Sequence, residues 1–127
     1  MNKTLGPIVM VALIFLLTYA NAKMPWNGEY AVYQGGYLLY SRELGDMQPP
    51  TRRDQKVSFM VEGRIAREMF ESMAPDLKFA CGSSLRLRVR NRGDVDCSFE
   101  TDNHASPYTC YFGFNLNTGK SITGATC

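Results

Sequence analysis

"LRLRVRNRGDVDCSFE", residues 85–100, places arginine at every second position (Arg86, Arg88, Arg90, Arg92) with Leu85, Leu87 and Val89 between them. Alternation of period two is the pattern of a strand that shows different faces to different surroundings. Past Gly93 the alternation resumes, with Asp94, Asp96 and Ser98 on one side and Val95, Cys97 and Phe99 on the other. Two such runs about a glycine predict a β-hairpin. A three-residue loop, Asn91–Arg92–Gly93, puts glycine last, where a left-handed residue is wanted. That register sets Arg90 opposite Asp94, Arg88 opposite Asp96 and Arg86 opposite Ser98, with Leu85, Leu87 and Val89 facing Phe99, Cys97 and Val95. A two-residue turn that sets Arg90 against Val95 would mix charge with apolar side chains on one face, so patterning selects the first register. Each opposed charge pair then contributes about 0.2–1 kcal/mol. The expectation is a solvated outer face whose arginines are mostly paired within it. Arg86, with no acid opposite, and Arg92, at the tip, remain available to grip a carboxylate or sulfated surface.

Working outward, a turn through "TDNHASP" (101–107) brings Phe99 opposite Tyr108 and Cys97 opposite Cys110, close enough for a disulfide. Cys81 and Cys127 are left to form a second bridge, although the other two connectivities of four cysteines stay open. The intervening stretches of 15, 12 and 16 residues contain no C-x2-C pair, and the lone His104 has no ligand spacing, so no metal site is expected. Upstream, Val57, Phe59 and Val61 alternate as in a half-buried strand. The period then changes: Ile65, Ala66, Met69, Phe70 and Met73 form one stripe of a short helix that Pro75 stops. Three downstream strands (84–90, 94–100 and 108–116) with short connections favour antiparallel neighbours. The expected fold is α+β, a small antiparallel sheet carrying one short helix and stapled by two disulfides. Residues 26–43 are rich in tyrosine, and Gly35–Gly36 at their centre predicts a tight hairpin in which Val32 faces Leu39 and Tyr33 faces Leu38. Residues 44–55, with two adjacent prolines and clustered charge, read as a connecting loop.

The first 22 residues carry Lys3, an apolar run from Ile8 to Leu17, and small residues Ala20 and Ala22 before the expected cut, the tripartite pattern of a secretion signal. Its removal leaves residues 23–127 as one exported domain, secreted or periplasmic, with no membrane attachment. Export also explains an even number of cysteines all placed after the signal. Lys3 is the only charged residue of the leader, so the net charge falls from +2 to +1. That balance argues against a nucleic-acid binder.

The hairpin tip spells Arg92-Gly93-Asp94, which resembles the integrin-recognition tripeptide of secreted adhesion proteins and disintegrins. The resemblance covers three residues and implies an adhesion ligand as one alternative. A small secreted hydrolase is another, but His104 sits between Asn103 and Ala105 with no G-x-S-x-G elbow in the chain. No phosphate loop, cofactor motif or catalytic set is apparent, and the expectation is not an enzyme. Tyrosine and arginine anchor protein interfaces. The chain therefore reads as a binding module, of inhibitor or immunity type, that contacts another protein or cell-surface macromolecule through Tyr30, Tyr33, Tyr37, Tyr40, Arg86 and Arg92.

Overall fold

The computed structural model describes residues 26–80, 82 and 84–126. The leader and the proposed Cys81–Cys127 bridge lie outside the described residues. The chain divides into two units at Ala31. In the first, Trp26–Ala31 has no regular structure, and the Asn27 side-chain oxygen accepts the Glu29 amide at 3.1 Å.

The second unit is a mixed α+β structure. Six antiparallel strands, β1 (Gln34–Tyr40), β2 (Lys56–Glu62), β3 (Leu87–Arg92), β4 (Val95–Glu100), β5 (Tyr108–Asn115) and β6 (Ser121–Ile122), form one sheet. The strand order is β1-β2-β5-β4-β3, with β6 pairing the far end of β5. The helix α1 (Gly63–Ser72) leaves β2 directly. Gly63 makes the corner at φ +67°, a left-handed value that a side chain would resist. Most of the predicted stripe is buried: Ala66, Phe70 and Met73 join Val61, Cys97 and Cys110 in the core, with Met69, Phe99, Tyr108 and Phe112 packed around them, while Ile65 stays exposed. Arg64–Glu68 and Arg67–Glu71 pair at 2.9 Å on the exposed side of the helix.

Three expectations meet the structure differently. The β4–β5 pairing holds residue for residue: Cys97 faces Cys110, Phe99 faces Tyr108, and the cysteines are bridged in the core. One disulfide is thus present among the described residues. The β3–β4 register is corrected. Arg92 pairs Val95 across a two-residue turn of Gly93 and Asp94, so Arg90 lies opposite Cys97 and Arg88 opposite Phe99. Gly93 has φ +59° and occupies the first central position, as a type II′ hairpin requires. The arginines therefore share the helix face, while Leu87 and Val89 turn to the other. The Gly35–Gly36 hairpin is corrected too. Both glycines lie inside β1, opposite Val61 and Met60 of β2. A Cβ on Gly35 would stand 2.1 Å from the Met60 carbonyl oxygen, so glycine there serves close strand approach rather than a turn.

Arginines reach the core face because the chain after α1 supplies a counter-charge. Asp76 accepts from Arg88 Nε and Arg90 Nε, each at 2.7 Å. Arg90 also donates to the Phe70 carbonyl at 2.8 Å, which already accepts the Met73 amide at 3.2 Å where the helix ends. Its guanidinium carbon lies 4.1 Å from the Phe70 ring centre, within cation–π range. Hydrogen bonds from Arg88 and then Arg90 hold the Asp76 carboxyl down to about 2 from its ordinary 3.8.

Among the described residues the polar tail is fastened at positions 121–124. β6 pairs β5, and the Ser58 hydroxyl donates to the Gly124 carbonyl at 2.6 Å, drawing residues 123–126 onto the face opposite α1. Gly124 lies so close to the Phe112 backbone that a Cβ there would meet it at 2.5 Å.

Candidate partner-binding surface

Strand pairing decides which side chains share a face. Along β1, β2 and β5 the pairs Tyr37–Phe59–Phe112 and Leu39–Val57–Phe114 all fall on the side that carries α1. A ten-residue helix is about 15 Å long. Strands are about 4.8 Å apart, and α1 packs over β2, β5 and β4, while its first residue, Gly63, lies beside Gln34 at the start of β1. Beyond its edge, Tyr37 is 71% exposed, and Leu39 and Phe114 are 38% exposed. Phe59 stacks on Phe112 with ring centres 5.3 Å apart, and Phe114 sets its edge 6.4 Å from both. The result is an ordered aromatic floor beside the helix, with Tyr37 next to Phe59 on the edge strand. Packed rings of this kind lose little rotamer entropy on contact with a partner, which favours them as anchors.

The six residues expected to bind a partner are dispersed. Tyr37 joins the aromatic floor. Tyr33, exposed, folds its ring beside Gly35. Tyr30 is fully exposed in the 26–31 stretch. Tyr40 is corrected: it is 3% exposed, and Lys56 Nζ lies 6.0 Å from its ring centre. Burial raises its hydroxyl above the ordinary value of 10.0. Arg86 is exposed, and its guanidinium meets Asp102 at 3.4 Å rather than standing opposite Ser98. Arg92 is exposed at the β3–β4 tip. β1 and β3 are the two edges of the sheet, four strand spacings or about 19 Å apart. Tyr37 and Arg92 therefore do not make one compact surface.

Sequence reasoning missed Phe59, Phe112, Phe114 and Leu39. The available signal was a surplus: β2 and β5 send more apolar residues to one face than a ten-residue helix can cover.

Two grooves lie on the opposite face, on either side of residues 123–126. One, about 470 Å³, is lined by Leu38, Leu44, Met47 and Met60; the other, about 540 Å³, by Leu77, Phe79, Leu87 and Val89 over Asp96 and Ser98. In the tripeptide Arg92-Gly93-Asp94, Asp94 Oδ2 accepts the Ser121 hydroxyl at 2.6 Å, so its carboxylate is already engaged. His104 is exposed in the β4–β5 loop, and among the described residues it makes no side-chain hydrogen bond or ion pair. No group of metal-ligating side chains is assembled among the described residues.

Comparison of the chain with known protein families, with characterised proteins and with solved structures finds no match in any of the three.

Proposed function

We propose that the chain is an exported, non-catalytic binding module, of inhibitor or immunity type, that engages another protein through the uncovered half of its helix face. One observation carries the reading: Tyr37, Leu39 and Phe114 stand at the surface over a stacked Phe59–Phe112 pair, beside a helix too short to cover them. The core beneath is bridged by Cys97–Cys110, and a rigid base lowers the entropy lost on docking. Acidic and basic side chains are nearly balanced in number, so attraction is left mainly to the buried apolar contact rather than to long-range charge.

The test is cross-linking capture by the mature chain in its own export compartment, run beside three variants. Tyr37→Ala and Phe114→Ala are expected to reduce recovery of the captured protein at least tenfold, the loss of one anchor residue. Arg92→Ala, at the far edge of the sheet, is expected to leave recovery unchanged. Loss with Arg92→Ala alone would move the site to the β3–β4 tip and defeat this reading.

A further inference from the structure

β1 ends the sheet, and among the described residues the backbone of Gln34–Tyr40 pairs only with β2. Proteins usually guard such an edge with lysine, proline or a bulge, because its open amides and carbonyls accept any matching strand. β1, "QGGYLLY", has no charge and no proline, and it runs against β2 without a skipped residue.

The strand also fits itself. When a second β1 lies antiparallel with Tyr37 opposite Tyr37, the remaining pairs are Gly36 with Leu38, Gly35 with Leu39, and Gln34 with Tyr40. Every leucine then meets a glycine. On the helix face Leu39 lies over Gly35 and the Tyr33 ring beside it. On the other face Leu38 enters the space over Gly36, where a Cβ would meet no atom within 4 Å. At the flanks, Gln34 donates to Glu62 at 3.4 Å at one end, and at the other Lys56 lies by the Tyr40 ring with its charge already paired to Asp54 at 2.7 Å. The leucine–glycine match therefore selects the antiparallel arrangement, since a parallel copy centred on Tyr37 would set Leu38 against Leu38 and Leu39 against Leu39.

We infer that two copies of this chain join edge to edge through β1, antiparallel, with Tyr37 on the two-fold axis. Such self-complementary two-fold contacts are the commonest form of oligomer. The pairing makes one continuous sheet with both helices on the same side, and the two uncovered aromatic floors become one. The inference concerns the backbone edge and does not depend on the partner proposed above.

The mature chain tests it by sedimentation over a concentration series of about 1–100 μM, wide enough to reveal micromolar association. The expected result is a dimer whose population rises with concentration. Leu38→Lys points its charge at Gly36 of the second copy, on the face away from Tyr37 and Phe114, and is expected to give a monomer with unchanged circular dichroism. Register is read by cysteine cross-linking. In Tyr37→Cys the β carbons lie about 4.5–5.5 Å apart across the axis, and the variant oxidises to a covalent dimer. In Leu39→Cys the two positions are four residues, about 13 Å, apart along the strands, and no covalent dimer forms. A parent chain that stays monomeric throughout overturns the inference, whatever then covers the edge. Equal cross-linking by both cysteine variants, or none by Tyr37→Cys, overturns the register. If monomeric Leu38→Lys still captures its protein partner, the binding reading stands on its own; if the dimer forms but nothing is captured, that reading fails and this one remains.

Discussion

The two halves of the helix face belong to one sheet and share the same alternation, yet they end in different states. Under α1, Val61, Cys97, Cys110 and Phe70 are sealed, and even Arg90 is 13% exposed along its side chain. Beside α1, Tyr37 and Phe114 keep much of their surface in water. The strands are apolar on that face from β1 to β4, so burial depends on how far ten residues of helix extend. Apolar pattern thus specifies which side of a strand is to be covered, and the length of the covering element decides where covering stops.

That contrast can be broken from the covered side first. Phe70 touches Phe99 and Tyr108 and receives both arginines on its ring. Phe70→Ala is expected to cost about 3–5 kcal/mol, because a large buried ring leaves a void. Urea unfolding followed by circular dichroism would show the loss as a lower midpoint, and an unchanged midpoint would mean that α1 is not what seals this half.

The next effect separates adjacent glycines at the uncovered side. Gly35→Ala drives a methyl group into the Met60 carbonyl and is expected to cost about 1–3 kcal/mol or to release β1 from β2. Gly36→Ala meets nothing and is expected to change stability by less than about 0.5 kcal/mol. Hydrogen exchange of the β1 and β2 amides distinguishes the two, and equal behaviour would contradict the close approach.

A smaller effect is expected at the Asp76 cluster. Its carboxyl is depressed in the folded chain to about 2, below the ordinary 3.8, so the unfolded chain binds its proton first as pH falls. The stabilisation is therefore complete above about pH 4 and is lost as pH drops toward 2. Side-chain exposures of 43% and 38% for Arg88 and Asp76 keep the solvent-screened worth of the pairing to about 1 kcal/mol. Asp76→Asn is expected to be less stable than the parent at neutral pH and to converge with it at pH 2. A constant gap across that range would assign the effect to packing instead.

The smallest change is expected at the uncovered surface itself. Tyr37→Ala shifts stability by less than about 0.5 kcal/mol, since its ring is mostly in water. Thermal unfolding with a fall comparable to that of Phe70→Ala would show that the uncovered half is a second core and not a surface held open for contact.

Local sequence carried several elements intact. The stripe Ile65, Ala66, Met69, Phe70 made a helix that ends just before Met73, Val57, Phe59 and Val61 made a strand, and the turn after Glu100 brought Cys97 to Cys110. In each case the period of one short segment suffices, because neighbours along the chain are also neighbours in space. The arginine hairpin behaved otherwise. Patterning assumed that charge faces water, and the counter-charge that reverses this, Asp76, comes from a different segment and was not visible in the hairpin. Gly35 misled for a similar reason: a glycine pair has the same letters whether it supplies a turn or lets two strands approach, and only the carbonyl of Met60 distinguishes them.

Sequence by itself thus determined the α+β class, the helix, the strands β2 to β5 and the one disulfide seen among the described residues, all consequences of period and spacing. Tertiary structure alone decided the register of β3 on β4, the burial of Tyr40 and Arg90, the separation of Tyr37 from Arg92 to opposite edges, and the extent of the apolar face left open. These depend on which groups from remote segments arrive within a few ångströms, and no local period encodes that.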